Sequence, residues 1–441
     1  MQIARWLYSG LLVALAPAYR LRLAWRGRRE AGYNEAVGER FGRYESSPPT
    51  PGAVWIHAVS LGETRAAAAL IDALHARRPR LRILLTHGTA TGREAGRALL
   101  REGDRQVWLP YDTPGAVRRF LRHHRPSIGV LMETELWPNL VAIANELGVP
   151  LLQANARLSE KSLRRGERFA ALLRPAVAGL TEVLAQTEAD AQRLRGAGAR
   201  TVQVVGNLKF DMTPSPDLIA RGAAWRAASE RPLVLAASTR EGEEAALLAA
   251  WREAAPPARL LLVPRHPQRF DEVARLVGDA GLSLSRRSAW QADRPDDGDA
   301  QVWLGDSLGE MPAYYAAARL ALLGGSFEPL GGQNLIEAAA CACPLLIGPS
   351  TFNFAQAAEL SLAAGASERL PGLDAAVARA VELLAAEPAT LEAMSRKALD
   401  FAAAHRGAAD RMAAAILARL PAEPDQPRSA FAASLTSVEP R

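Results

Sequence analysis

Short apolar segments alternate with helix-like stretches along most of the chain, and this alternation limits the fold more than any other feature. The first half holds seven apolar segments: Ala53–Ala58, Arg82–His87, Gln106–Pro110, Ser127–Met132, Pro150–Ala156, Val183–Gln186 and Val202–Gly206. The second half holds five: Pro232–Ser238, Arg259–Pro264, Gln301–Gly305, Arg319–Gly325 and Pro344–Pro349. Strands of parallel sheets are buried on both faces, so they are almost continuously apolar, and a crossover helix separates each from the next. The pattern predicts an α/β protein with two doubly wound parallel sheets.

The alternation pauses at Thr213-Pro214-Ser215-Pro216 and then resumes. The chain has 441 residues, which exceeds a typical domain of roughly 100–200 residues. We therefore predict an N-terminal segment over 1–30 and Rossmann-like domains over 31–212 and 213–420. The remaining tail, 421–441, is predicted to be disordered. Sheets of this kind bind ligands beyond the carboxyl ends of their strands, so two facing sheets would form a ligand cleft.

Positive charge is concentrated near the N-terminus. The chain has a formal net charge of +6, and five arginines without any acid lie between Arg20 and Arg29. The uncharged stretch Trp6–Tyr19 precedes them. As a helix it would reach about 21 Å, short of the roughly 30 Å hydrocarbon core of a bilayer. We predict a segment that lies in the membrane interface, with its arginines against an anionic membrane surface.

Two other interpretations of this segment remain open. Arg5, the apolar stretch and Ala14-Leu15-Ala16 also fit a signal peptide. The segment could instead be a soluble helix packed on the first domain. No nucleic acid partner is predicted, because no recognition motif occurs and the arginines do not alternate with aromatic residues. The two cysteines, Cys341 and Cys343, cannot form a disulfide framework, which favours a reducing compartment.

Acidic and basic residues follow strands in the first half. Glu63 comes after a glycine where a helix begins, so its carboxylate could act as a general base or only complement the helix dipole. Glu133 and Glu135 follow the fourth strand directly, where either a site role or a capping role is open. Lys209 is one of three lysines in an arginine-rich chain, which suggests a role that arginine cannot fill.

Four polar loops follow consecutive strands in the second half: Ser238–Glu243, Pro264–Pro267, Gly305–Met311 and Gly324–Glu337. Ser238 and Thr239 precede a helix and offer hydroxyl and backbone N–H groups to a phosphate. Arg265, which His266 follows, adds a guanidinium suited to phosphate. Asn334 and Glu337 can share one face at a helix start, where the carboxylate could accept hydrogen bonds from ribose hydroxyls. Together the loops predict a nucleotide site.

Several catalytic motifs are missing from the sequence. It contains no Walker loop, no dinucleotide fingerprint after the first strand, no HExxH, no zinc-type cysteine and histidine spacing and no GxSxG elbow. We treat His57 and His87, at strand ends, as structural. We therefore predict neither a metal ion nor a cofactor.

The motifs together resemble the Kdo transferases, which transfer 3-deoxy-D-manno-octulosonic acid (Kdo) to a lipid A precursor in Gram-negative bacteria. The similarity extends from the N-terminal segment to about residue 420. It rests on HAVSLGE, METELWPNL, NARLSEKS, QTEADAQRL, GNLKFD, PRHPQRF, GDSLGEM, GGQNLIEAAA and IGPSTFNF. The resemblance implies the GT-B glycosyltransferase fold, in which two Rossmann-like domains face a cleft, the first binding the acceptor and the second CMP-Kdo.

The resemblance also implies roles for single residues. Glu63 matches the catalytic base, and Glu133 and Lys209 match positions that stabilise the transition state. The CMP-binding positions match Arg265, His266, Gly309, Glu310, Met311, Asn334, Leu335, Ile336 and Glu337. Ser238 and Thr239 are additional candidate donor contacts.

Two places depart from the family pattern, both on the donor side. Ala237 and Arg240 stand where glycine and histidine are expected, and Gln333 stands where histidine is expected.

The resemblance implies an inverting, metal-independent transfer of Kdo from CMP-Kdo to a tetraacylated disaccharide bisphosphate in lipopolysaccharide biosynthesis. The expected location is the cytoplasmic face of the inner membrane, through the N-terminal segment. Two alternatives are a GT-B transferase for another nucleotide sugar and a non-catalytic two-domain binding protein.

Overall fold

A computed structural model describes residues 2–291 and 300–421. The chain divides into two compact units. The first comprises residues up to Val205 together with those from Ala409 on, and the second comprises Gly206–Ala408. Apart from Pro421, the tail predicted to be disordered lies outside the described residues.

Each unit contains one sheet with helices between its strands. The strands of the first unit are β1 (Val54–His57), β2 (Ile83–His87), β3 (Arg105–Trp108), β4 (Ile128–Met132), β5 (Leu151–Ala156), β6 (Glu182–Ala185) and β7 (Val202–Val204). Those of the second unit are β8 (Leu233–Thr239), β9 (Arg259–Pro264), β10 (Leu284–Arg286), β11 (Val302–Leu304), β12 (Leu320–Leu323), β13 (Leu345–Ile347) and β14 (Ser367–Arg369).

The helices connect these strands. They are α1 (Gln2–Ala14), α2 (Ala16–Gly27), α3 (Leu61–Arg77), α4 (Ala90–Arg97), α5 (Pro114–His124), α6 (Pro138–Glu146), α7 (Glu160–Glu167), α8 (Ala170–Ala178), α9 (Glu188–Gly196), α10 (Pro216–Ala228), α11 (Glu243–Ala254), α12 (Phe270–Asp279), α13 (Met311–Ala317), α14 (Leu335–Ala340), α15 (Ala355–Ala363), α16 (Leu373–Ala385), α17 (Pro388–Ala404) and α18 (Ala408–Leu417). Short 3-10 turns include Leu208–Asp211.

The first sheet is parallel and has the strand order β3-β2-β1-β4-β5-β6-β7. The order reverses between β1 and β4, and in such sheets the ligand crevice lies at the carboxyl ends of the strands at this reversal. Every residue of β1, β2, β4 and β5 is buried, which explains their continuous apolar character. Trp55 and Phe120 pack edge to face in the core between sheet and helices.

The second sheet is also parallel, with the order β10-β11-β9-β8-β12-β13-β14. Its order reverses between β8 and β12. Trp225, Trp290 and Trp303 pack edge to face beside it and form part of the core. The predicted fold class, two doubly wound α/β sheets, is confirmed.

The structure adds two strands that the sequence did not predict, β10 and β14. Each is a three-residue edge strand with incomplete burial, so neither leaves a long apolar segment. The last helix also differs from the predicted domain limits, because α18 belongs to the first unit. Its Arg411 donates a hydrogen bond to the Val205 carbonyl at 2.9 Å. Arg419 pairs with Glu182 at 2.9 Å.

The N-terminal segment forms two helices that break at Leu15, two residues before Pro17. The Tyr8 hydroxyl donates to the buried Asp112 carboxylate at 3.0 Å. The Ser9 hydroxyl donates to Asn139 at 3.0 Å, which ties α1 to the start of α6. Among the described residues, no helix combines the length and the apolar character that crossing a membrane requires.

Candidate active site

Glu63 lies in the first turn of α3, at the carboxyl end of β1. Ser60 is the N-cap, and its hydroxyl oxygen accepts from the Glu63 N–H at 3.3 Å while donating to Glu63 Oε1 at 3.2 Å. The Val59 N–H donates to Oε2 at 2.8 Å. This arrangement resembles a capping box, in which a serine and a glutamate three residues later bond to each other's backbone. Hydrogen bonds therefore hold both carboxylate oxygens in place.

Burial raises the pKa of Glu63 from its ordinary value to about 7, and the hydrogen bond from Val59 only partly opposes this. The nearby carboxylates of Glu133 and Glu135 raise it further. Burial also raises the pKa of Glu135, again with a contribution from Glu133. Three acidic side chains thus meet where the strand order reverses between β1 and β4. A carboxyl group with a pKa near the working pH is suited to general base catalysis.

Glu133 follows β4 in the left-handed backbone conformation, with φ of 53°, which a non-glycine residue adopts at a cost of about 1–3 kcal/mol. Its side chain is buried. Arg157, just beyond β5, donates to Glu133 Oε2 at 2.8 Å. The Gln153 amide holds the Glu133 carbonyl at 2.9 Å. Asn155 on β5 also has a positive φ, 52°. The sequence did not assign a role to Arg157, because only the pairing of β4 with β5 brings it to Glu133.

The predicted donor loops meet at the carboxyl ends of β8, β9 and β12. Ser238 has φ of 57°, and the register of β8 shifts there. A Cβ on Gly324 would come within 2.4 Å of the Ser238 carbonyl oxygen, so only glycine permits β12 to end this close. The Arg265 N–H donates to the Thr239 carbonyl at 2.9 Å. The structure therefore brings Ser238, Thr239 and Arg265 together.

Glu243 organises these loops from the start of α11. Its buried carboxylate accepts from the backbone N–H groups of Arg240, Gly325 and Phe327, at 2.9, 2.7 and 3.3 Å. Burial raises its pKa, and these hydrogen bonds lower it. The sequence did not mark this residue as functional. A glutamate immediately after a glycine at a helix start is only a weak signal for such a role.

Arg265 and Gln333 are linked across two loops. Arg265 Nε donates to the Gln333 side-chain oxygen at 3.2 Å, and the rest of the Arg265 side chain is exposed. His266 is half-buried beside it. Gln333 is one of the positions that depart from the family pattern, so the departure falls on a direct partner of the predicted phosphate-binding arginine.

Glu310 has protein partners rather than a free carboxylate. Arg287 and Arg221 both pair with it, at 3.0 and 2.8 Å, and the Ser307 hydroxyl donates to it. These partners outweigh burial and lower its pKa. Gly309 before it is exposed with φ of 81°, and Met311 after it begins α13. The Glu310 side chain therefore holds the loop in shape.

The last predicted donor segment begins α14. The Asn334 side chain caps the helix by accepting from the Ile336 N–H at 3.2 Å. Leu335 and Ile336 are buried in the core of the second unit, so their side chains fix the helix. Glu337 is half-buried and lies in the first turn of the helix.

Lys209 lies in the 3-10 turn that follows β7, within the second unit. Its ammonium nitrogen is 4.5 Å from the centroid of the Phe354 ring, a distance typical of a cation–π contact. The backbone N–H of Lys209 donates to the Asn207 side chain at 3.0 Å. The lysine thus has a defined position beside the segment IGPSTFNF.

The strand-end histidines are buried. Burial lowers the pKa of His57 to about 3 and that of His87 to about 4, so both are neutral at physiological pH. His87 contacts Thr64 at 3.2 Å and the Ala58 carbonyl at 3.0 Å, beneath the turn that carries Glu63. Within the described residues, no group of three or more acidic, histidine or cysteine side chains is arranged to hold a metal ion.

The fold is similar to that of a solved structure. The crystal structure of Anabaena Alr3699/HepE in complex with UDP and glucose is 15% identical, with a TM-score of 0.54, and the match covers 84% of this chain and all of that one. At this identity the likeness concerns the fold alone. Two parallel seven-strand sheets of this kind are characteristic of the GT-B fold.

Sequence comparisons specify the family. The profile described as 3-deoxy-D-manno-octulosonic-acid transferase (kdotransferase) matches residues 35–212. A 3-deoxy-D-manno-octulosonic acid transferase from Bordetella pertussis is 49% identical, and the match covers 93% of this chain and 98% of that protein. One from Haemophilus influenzae is 32% identical, with 92% and 97% covered. The chain belongs to the Kdo transferase family and is a glycosyltransferase.

Proposed function

We propose that this chain transfers Kdo from CMP-Kdo to a lipid A precursor, a tetraacylated disaccharide bisphosphate, with inversion at the anomeric carbon. The family supports Kdo transfer, and the resemblance of the motifs supports this donor and acceptor. The observation that carries the reaction type is Glu63, a partly buried carboxyl group with a pKa of about 7, placed beside Glu133 where the strand order reverses.

The proposed reaction is a single displacement. A hydroxyl group of the acceptor sugar attacks the Kdo anomeric carbon while its proton passes to the Glu63 carboxylate. The new C–O bond forms as the bond from that carbon to the CMP phosphate oxygen breaks, and the electron pair leaves with CMP. Because the nucleophile enters opposite the leaving group, the configuration inverts.

The donor side is proposed to stabilise the departing phosphate. The exposed guanidinium of Arg265, held on one side by Gln333, can make charge-assisted hydrogen bonds to phosphate oxygens. Ser238 and Thr239 lie at the carboxyl end of β8, next to Arg265 at the end of the neighbouring strand β9, and they supply polar groups there. Glu133 and Lys209 are proposed to stabilise the transition state, as the resemblance implies.

We further propose that α1 and α2 attach the chain to the cytoplasmic face of the inner membrane. Large apolar side chains project from both helices: Ile3, Trp6, Leu7, Leu11, Val13, Leu21 and Trp25 are all more than half exposed. Arg20, Arg22, Arg28 and Arg29 are also exposed. Exposed apolar groups next to arginines suit a surface of anionic lipids. The hydrogen bonds of Tyr8 and Ser9 hold this segment on the first unit.

The direct test is incubation of the purified chain with the tetraacylated precursor and CMP-Kdo generated in situ, with mass analysis of the lipid. The expected product carries at least one Kdo residue. A parallel reaction with UDP-glucose should give no product. Transfer from UDP-glucose but not from CMP-Kdo would overturn the proposed donor.

A further inference from the structure

An apolar groove lies between α7, α8 and α9 in the first unit, with a volume of about 240 Å³. Its larger apolar lining residues are Leu136, Leu158, Leu163, Leu173, Val177 and Leu194. None of the residues assigned a role above by the resemblance lines it. A groove of this composition suits a hydrocarbon chain rather than a sugar or a nucleotide.

The groove begins next to the candidate active site. Thr134, the residue after Glu133, lines it, as do Gln153 and Arg157. Gln153 and Arg157 are the side chains that hold the Glu133 carbonyl and carboxylate. A ligand whose sugar reaches Glu133 could therefore extend an apolar part into the groove without leaving the first unit.

One wall of the groove is loosely packed. Within the described part of the chain, none of the eight residues of α7 is buried. Phe169, which links α7 to α8, is 64% exposed. A large exposed aromatic residue beside an apolar groove adds to the surface that a lipid chain would cover.

Charged side chains also line the groove. Arg157, Glu167 and Arg174 line it, and Arg174 is exposed and forms no ion pair with the described residues. An unpaired cation beside an apolar interior matches an amphiphile with an anionic head group. The proposed acceptor, with its two phosphates and its acyl chains, has this character.

We propose that the groove between α7, α8 and α9 binds one acyl chain of the acceptor lipid, with Arg174 on its phosphate group. The proposal rests on the proposed function, since it specifies how the same acceptor is held. Binding of this kind selects an acylated acceptor by burying hydrocarbon, and it positions the sugar hydroxyl for the base.

Adjacent leucines on α8 provide a matched pair of variants. Leu173 lines the groove, whereas Leu172 lines a different depression beside α6. Both are half-buried. Because burying a leucine contributes about 1.5–3 kcal/mol, Leu173→Gln should raise KM for the tetraacylated acceptor by about 10- to 100-fold. Leu163→Gln, on the unburied helix α7, should act in the same direction. Leu172→Gln should retain the wild-type KM, and kcat should change little in all three.

A second measurement does not depend on turnover. A precursor carrying a photoreactive diazirine on one acyl chain should label the segment 158–177 of the wild type, and Leu173→Gln should reduce this labelling. Equal KM values for Leu173→Gln and Leu172→Gln, or labelling confined to α1 and α2, would overturn the groove proposal while transfer itself persisted. Loss of a dimer in Leu173→Gln with an unchanged KM would assign the groove to a second copy and also overturn it. Absence of transfer by the wild type would instead overturn the proposed function.

Discussion

Ser60 and Glu63 bond to each other twice at the start of α3: the serine hydroxyl accepts from the Glu63 N–H at 3.3 Å and donates to Oε1 at 3.2 Å. This pair gives one carboxylate two functions. It caps a helix, and it presents a partly buried acidic group at the carboxyl end of β1. The first function stabilises the fold locally, and the second supports the proposed catalysis.

The pH dependence of transfer should show an acid limb with a midpoint near pH 7. The base is the carboxylate form, and burial raises the pKa of Glu63 to about 7, so activity should fall as the pH drops below 7. We expect this midpoint in kcat/KM for the acceptor, measured at saturating CMP-Kdo. An acid limb near pH 4.5 with full activity at pH 6 would contradict the raised pKa.

The raised pKa of Glu63 gives the stability of the fold the opposite pH dependence to activity: stability decreases as the pH rises. Since the folded pKa of Glu63 lies above its unfolded value, its contribution to stability is complete below about pH 4.5 and is lost as the pH rises through 7. The free energy of unfolding, measured against pH, therefore distinguishes Glu63 from a carboxylate in an ion pair, whose contribution to stability is lost as the pH falls.

Ser60→Ala should alter both functions of the pair. Loss of an N-cap typically costs about 1 kcal/mol. The Ser60 hydrogen bond lowers the pKa of Glu63, so its removal should move the acid limb of activity to higher pH. Thr187→Ala is the matched control, because Thr187 caps α9 by accepting from the Asp190 N–H at 2.9 Å. It should lose similar stability in denaturant unfolding and leave the pH profile unchanged. A shifted profile in both variants would show that the effect is not specific to Glu63.

Arg265→Ala should weaken CMP binding. Hydrogen bonds to charged groups contribute about 1.5–3 kcal/mol, which corresponds to a Kd higher by about 10- to 100-fold. Titration calorimetry with CMP measures this without turnover. Arg252→Ala is the control, because Arg252 is an exposed arginine on α11 that donates to the Ala280 carbonyl at 3.5 Å. Unchanged CMP affinity in Arg265→Ala would remove the guanidinium from the phosphate site.

Membrane attachment should depend on the exposed apolar side chains of α1. Trp6 and Leu7 are each 71% exposed. Since each such side chain gains about 1.5–3 kcal/mol when buried, the double variant Trp6→Ser and Leu7→Ser should bind anionic vesicles at least about tenfold more weakly. Leu399→Ser, at a 44% exposed leucine of α17, should bind like the wild type. Equal cosedimentation of all three proteins would contradict the proposed anchor.

The sequence predicted those parts of the fold that depend on local composition. Strands buried on both faces have almost continuously apolar sequences, so the sequence predicts β1 and β9. It does not predict the three-residue edge strands β10 and β14. Glu63 was found because a glutamate in the first turn after a strand is a local signal. The pairing of Glu63 with Ser60 also has a local sequence signal, because a serine three residues before a glutamate marks a capping box.

The rest of the site depends on contacts between distant parts of the chain. Glu243 bonds to Gly325, 82 residues away, and Arg265 bonds to Gln333, 68 residues away. Arg157 reaches Glu133 only because β5 lies next to β4 in the sheet. No spacing pattern along the sequence encodes these pairs, so they become visible only when the strand order is known.

The central claim is that Glu63 is the base in Kdo transfer by this chain, and Glu63→Gln tests it most directly. The amide keeps the size of the side chain and can still contact Ser60, but it cannot accept a proton. Transfer from CMP-Kdo to the tetraacylated precursor should be measured by mass analysis under single-turnover conditions, with CMP affinity measured in parallel. The account predicts wild-type CMP binding and a transfer rate lower by at least about 10²- to 10⁴-fold. A variant that transfers Kdo at the wild-type rate would contradict it.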